Sequence, residues 1–210
     1  MTSRIFTKEV SMGKIFCIIG KSATGKDSIY KRLLQNEELH LQKIVPYTTR
    51  PIREGEKDGR EYHFCTEEDV QRLDTEGRII ELRAYHTIYG VWKYFTVNDD
   101  KICLDKNNYL FIGTLEAYVK IRDYFGKEQV VPIYVEVEDG ERLIRAIDRE
   151  KTQNVPKYEE MCRRFLADAV DFSEENLQKA EIHERFCNIE LEDTICMIEE
   201  YIRKENSLWI

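Results

Sequence analysis

Two apolar rhythms divide the chain. Continuous apolar runs occupy residues 14–19, 109–112, 130–137 and the neighbourhood of 186–189. They lack the polar alternation of a strand with one wet face, so they predict strands of a parallel sheet covered on both sides. Elsewhere the spacing turns helical: 67–75 behind a Thr66 cap, 115–125, 140–150, 158–174, and 192–204, where Ile195, Ile198, Tyr201 and Ile202 share one face. Strands alternating with helices in this way predict an α/β fold. No internal repeat or low-complexity tract interrupts the pattern, and glycine and charge are densest at 49–59.

Composition narrows the class. At 210 residues the chain suits one α/β domain with inserted lobes and is cramped for two unrelated domains. A net charge of -8 argues against a nucleic-acid or anionic-membrane surface, although clustered arginines can still bind a small anion. Cys17, Cys65, Cys103, Cys162, Cys187 and Cys196 show neither a CxxC pair nor metal spacing, which fits reduced thiols in the cytosol. The opening MTSRIFTKEVS lacks the apolar stretch of a signal peptide, and no run approaches the ~18 apolar residues of a membrane span. The expectation is a cytoplasmic protein, with residues 1–11 a leader before Met12.

Chemistry enters at residues 14–35, KIFCIIGKSATGKDSIYKRLLQ, where an apolar run leads into GxxxxGK from Gly20 to Lys26 and then into helical spacing. Glycine lets the backbone turn tightly enough for successive N–H groups to face a polyphosphate, while the lysine reaches its outer phosphates and the new helix adds positive dipole. The expected ATP-binding residues are Gly20, Lys21, Ser22, Ala23, Thr24, Gly25, Lys26, Asp27 and Ser28. Asp27 stands where the pattern has Ser or Thr, whose hydroxyl holds Mg²⁺.

A second site is written in TTRPIREGEKDGREYHF, residues 48–64. Pro51 rules out a regular helix through Arg50. Arg50 and Arg53 held in a loop near Tyr62 can bind a phosphomonoester through paired charge-assisted hydrogen bonds.

Together the two segments resemble the guanylate kinase family, whose pattern is TTRxxRxGExxGxxY, and the resemblance runs from about Lys14 to Ile202. It implies a P-loop kinase three-layer fold: a parallel-sheet core (12–45, 93–139 and 166–205), a nucleoside-monophosphate lobe (46–92) and a lid (140–165). By the resemblance Arg50, Arg53, Tyr62 and Tyr89 hold the phosphate of GMP, and Glu81 accepts from guanine N1 and N2. A carboxylate suits that edge of guanine and repels the ring acceptors of adenine. Arg145, Arg149, Arg163 and Arg164 fall where lid arginines close over the transferred phosphate; Arg149 and Arg164 are taken as catalytic with Lys26. Asn188 is similar to the residue of the turn near adenine.

The chain departs from the pattern at Pro46 and Val91, where guanine contacts are expected, and at Phe111, Gly113 and Thr114, where the family has aspartates. A carboxylate gained at Asp27 coincides with carboxylates lost from that strand end, so Asp27 is the expected Mg²⁺ ligand, with Ser28 as the alternative. The implied reaction is transfer of the γ-phosphoryl of ATP to GMP or dGMP, giving GDP or dGDP. A phosphorylated-sugar or other nucleotide acceptor, and a non-catalytic interaction module, stay as alternatives; Glu81 argues against a sugar acceptor and Lys26 against the module.

Overall fold

A computed structural model of the chain describes residues 12–87 and 90–207. The expected leader, 1–11, lies outside them. Five parallel strands form the core sheet: β1 (Ile15–Ile19), β2 (Leu41–Lys43), β7 (Asn108–Ile112), β8 (Val130–Glu136) and β9 (Arg185–Cys187), in the order β2-β7-β1-β8-β9. Every residue of β1 is buried, as the continuous apolar run requires. Side chains alternate across the strand. Phe16 and Ile18 meet Ile29 and Leu33 of α1 (Lys26–Gln35) and Ile195, Ile198 and Ile202 of α7 (Leu191–Ser207). Ile15, Cys17 and Ile19 face Tyr118 and Ile121 of α3 (Leu115–Phe125). Each such large apolar side chain contributes roughly 1.5–3 kcal/mol.

A second sheet, ordered β4-β3-β6-β5, contains β3 (Tyr47–Thr48), β4 (His63–Phe64), β5 (Ile79–Thr87) and β6 (Gly90–Val97). The apolar pattern predicted none of these four strands. β5 and β6 are antiparallel, and a register shift near Glu81 sets Glu81 opposite Thr96 and Arg83 opposite Tyr94. Helix α2 (Glu67–Thr75) begins with a reciprocal capping box between Thr66 and Asp69, and packs Val70 and Leu73 on Phe95 and Val97.

Two further helices, α4 (Asp139–Lys151) and α5 (Tyr158–Asp171), pack against each other. The helix predicted over 158–174 stops at Asp171, because Ser173 accepts from the Asn176 N–H and caps a separate α6 (Glu174–Lys179). Between the helices Phe172 turns into the core and stacks on Tyr134. The expected lobe limit at 92 falls inside β6, and the lid limit at 165 falls inside α5. Among the described residues no helix is long and apolar enough to cross a membrane.

Candidate functional site

The phosphate loop joins β1 to α1, and two of its glycines are sterically required. A Cβ on Gly20 would lie 2.3 Å from the Val135 carbonyl oxygen, and one on Gly25, at φ +85°, would lie 2.4 Å from Asn188 Nδ2. Asn188 is buried and donates Nδ2 to the Thr24 carbonyl at 2.8 Å, so the turn after β9 buttresses the loop. Thr24 Oγ1 and Lys26 Nζ both donate to the Lys21 carbonyl, at 2.9 and 3.3 Å. Lys26 therefore folds back over its own loop. Burial pulls its pKa below the ordinary lysine value; Asp27 and Asp168 oppose that, and Arg164 and Arg149 add to it. The two arginines expected to act on the transferred phosphate thus bear on the loop lysine.

The other arginines of α4 and α5 divide differently. Arg163 is exposed and pairs with Glu160 on its own helix at 2.7 Å. Arg145 donates to the Asn188 carbonyl at 3.2 Å and lines a cavity of about 670 Å³ with Glu136, Glu141, Cys187 and Asn188, which places it beside the turn expected near adenine. Arg142 is the residue that sequence reasoning missed. It is 0 % exposed, donates Nε to the Ser22 carbonyl at 3.0 Å, pairs with Asp139 and with Asp168 at 3.2 Å, and lies over the Phe165 ring. Asp168 in turn accepts from the Ser22 N–H at 2.6 Å. A signal existed: Arg142 lies one turn before Ala146 on the buried face of α4.

On the second sheet, Arg50 is buried and held by Glu56 through two hydrogen bonds of 2.8 and 3.1 Å, with its guanidinium over the Tyr62 and Phe64 rings. Glu56 also accepts from the Arg53 backbone N–H at 2.8 Å, which leaves the exposed Arg53 side chain at the loop surface. Glu56 organises this loop and was absent from the expected site. Tyr62 meets Tyr94 edge-on at 5.6 Å, and Tyr94 meets Tyr85 at 5.7 Å, so an aromatic row runs along the β5–β6 face. Glu81, on that face, is 2 % exposed; it accepts from Thr96 Oγ1 at 2.9 Å and from Arg83 Nε and Nη2 at 2.9 and 3.2 Å. Tyr89 lies outside the described residues.

One departure has a steric cause. A Cβ on Gly113 would lie 2.5 Å from the Phe111 ring, which is buried in the core, so an aromatic core residue at 111 excludes a carboxylate at 113. The Pro46 carbonyl accepts from the His63 N–H at 2.9 Å, and Val91 is exposed. Asp27 and Ser28 are both exposed on the first turn of α1, and among the described residues no hydrogen bond engages the Asp27 carboxylate. A single hard oxygen donor beside a phosphate cradle fits Mg²⁺, which binds through one or two carboxylates plus substrate phosphates.

The sequence profile of the guanylate kinase family matches residues 12–205. A guanylate kinase of Mycoplasma mobile is 31% identical over 196 residues, covering 82% of this chain and 95% of that protein. One of Schizosaccharomyces pombe is 37% identical over 92 residues; the match covers 43% of this chain and 46% of the relative's length. The solved guanylate kinase of Anaplasma phagocytophilum superposes with a TM-score of 0.60 at 24% identity, covering 93% of this chain and 87% of that one. With the profile spanning nearly the whole chain, and the core sheet, phosphate loop and second sheet arranged as described, the chain belongs to the guanylate kinase family.

Proposed function

We propose that this chain performs the reaction its family membership and fold indicate, ATP-dependent phosphorylation of GMP to GDP, with dGMP as a second acceptor, and that it does so in the cytoplasm. The observation that carries the reading is the phosphate loop itself, where Gly20 and Gly25 have no room for a Cβ, Lys26 folds over the loop and Asn188 braces it. The loop amides and Lys26 hold the outer phosphates of ATP. Asn188, buttressing the loop and beside Arg145, borders the adenine. Arg50, Arg53, Tyr62 and Tyr89 hold the acceptor phosphate, and Glu81 faces the base.

The acceptor oxygen is already an anion, so no side chain needs to remove a proton and no covalent enzyme intermediate forms. Catalysis is alignment of the two phosphates and neutralisation of charge that spreads over the equatorial oxygens of the transferred group. Lys26, Arg149 and Arg164 supply that neutralisation, and closure of α4 and α5 over the site excludes water. Asp27 would hold Mg²⁺ directly or through water, and the ion would supply positive charge against the phosphates of ATP.

The test is a coupled assay with ATP and a panel of GMP, dGMP, AMP and ribose phosphates, on the wild-type chain and on Lys26→Ala. Transfer to GMP that collapses in Lys26→Ala is expected; Lys21, paired with Asp139 at 3.3 Å, does not substitute. Transfer to a ribose phosphate in preference to GMP, or full activity in Lys26→Ala, overturns the reading.

A further inference from the structure

Glu81 and Arg83 lie two residues apart on β5, and successive alternate residues of a strand share a face. The Arg83 guanidinium therefore reaches back onto the Glu81 carboxylate, Nε to Oε2 at 2.9 Å and Nη2 to Oε1 at 3.2 Å, while Thr96 Oγ1 donates to Oε1 at 2.9 Å. The Glu81 side chain is 0% exposed beneath this cover and that of Arg83 14%. We propose that Arg83 is a specificity-determining residue of the acceptor site: its guanidinium occupies Glu81 in the place of guanine's N1–H and N2–H edge, and guanine pairs with Glu81 only by displacing it. The proposal rests on the reading of Glu81 as the base-facing carboxylate.

The chemistry of the mimicry is direct. Guanine offers a carboxylate two coplanar, parallel N–H donors from an amidine unit, and the Nε/Nη2 side of a guanidinium offers the same pair with a full positive charge. One donor on each carboxylate oxygen is what guanine needs, and Arg83 already takes both while Thr96 takes a further position on Oε1. The two forks cannot share one edge of the carboxylate.

Arg83 also belongs to the acceptor face rather than to a remote core pair. Tyr94 stands opposite it on β6, and Tyr94 touches Tyr62, over whose ring Arg50 lies. Burial raises the Tyr62 phenol's pKa while the charges of Arg50 and Arg83 pull it back, so both guanidiniums act on one group. With part of its side chain at the surface, Arg83 has solvent to move into when it is displaced.

The consequence has an unusual sign. An arginine that only satisfies a buried carboxylate leaves that carboxylate unpaired when removed, and GMP binding then falls or stays the same. An arginine that competes with guanine does the opposite. The experiment measures GMP binding by calorimetry without ATP, and kcat/KM for GMP against IMP, which lacks the N2 amine, for wild type, Arg83→Met and Arg83→Lys. Arg83→Met keeps the apolar stem and loses the fork; its Kd for GMP is expected to fall by about tenfold, with KM for ATP unchanged and the GMP-over-IMP ratio raised. Arg83→Lys, a point charge without parallel donors, is expected to give a smaller gain. If wild type binds GMP and neither variant binds it more tightly, the competition by Arg83 is refuted while the reading of GMP as the acceptor stands. If no protein in the set binds GMP, the assignment of Glu81 fails and this inference fails with it.

Discussion

Arg142 donates Nε to the Ser22 carbonyl at 3.0 Å, across a sequence separation of 120 residues, and its partner Asp168 accepts from the N–H of the same residue at 2.6 Å. One ion pair, built from α4 and α5, therefore grips both backbone groups of a single residue of the phosphate loop. The two helices that carry Arg149 and Arg164 are tied to that loop by this pair.

Removing Arg142 leaves Asp168 in a half-buried site without its guanidinium. Breaking such a pair costs about 3 kcal/mol, more than replacing both partners by apolar groups of similar size. Arg142→Leu is expected to lower stability by that order and to raise KM for ATP more than KM for GMP, and adding Asp168→Ala to recover part of the stability but not the KM. Urea denaturation and steady-state kinetics read the two effects. Equal changes in both KM values would remove the link to the loop.

Lys26 gives a pH prediction. Its pKa in the ligand-free chain is depressed, chiefly by burial, and ATP phosphates favour the charged ammonium, so binding raises it. The bound state then holds more protons than the free state between the two values. ATP affinity is complete below the free-state pKa and declines as pH rises through it towards the bound value. Calorimetry in buffers of different ionisation heat should show proton uptake in that window. Titration of Lys26 at or above the ordinary lysine value in the free protein would contradict this.

The metal assignment separates two neighbouring residues. Asp27→Ala is expected to raise the Mg²⁺ requirement strongly, Asp27→Ser to recover part of the loss, and Ser28→Ala to change little. Rates measured across a Mg²⁺ series decide the matter, and an unchanged Mg²⁺ dependence in Asp27→Ala sinks the role of the carboxylate.

On the acceptor side, Arg50→Ala is expected to weaken GMP by about 2–3 kcal/mol, the scale of a lost charge-assisted pair, with a far smaller effect on ATP. Glu56→Gln keeps the shape of the loop but removes the charge that holds Arg50, so it should weaken GMP less than Arg50→Ala does. Calorimetry with each nucleotide alone measures both. A larger loss for ATP than for GMP in Arg50→Ala would place that arginine in the wrong site.

The parts of the molecule legible in the chain are those whose cause is local. The runs at 14–19, 109–112 and 130–137 read as strands because burial on both faces demands continuous apolar residues, and β1, β7 and β8 follow them closely. The second helix start read correctly because Thr66 and Asp69 satisfy each other within one turn. The hairpin from Ile79 to Val97 did not announce itself: one face carries Glu81, Arg83, Tyr94 and Thr96 for the site, which breaks the apolar alternation that marks a strand. The break at Phe172 was hidden because helical spacing continues through it, and the Ser173 cap with Phe172 in the core decides where α5 ends.

The same division holds at the site. Gly20, Gly25 and Lys26 follow from short-range sterics and charge in one loop, so their spacing alone points to phosphate. Which groups meet them does not. Arg142, Asp168 and Asn188 reach the loop from 120, 146 and 164 residues away along the chain, and only the placement of α4, α5 and the turn after β9 against that loop brings them there. Arg83 lies two positions from Glu81, yet its grip on that carboxylate exists only because the segment is extended, since two residues apart on a helix face different ways. Residue identity decides which charges and donors are present, and the fold decides which are spent on one another, because a carboxylate or guanidinium acts on whatever lies within hydrogen-bond reach in space.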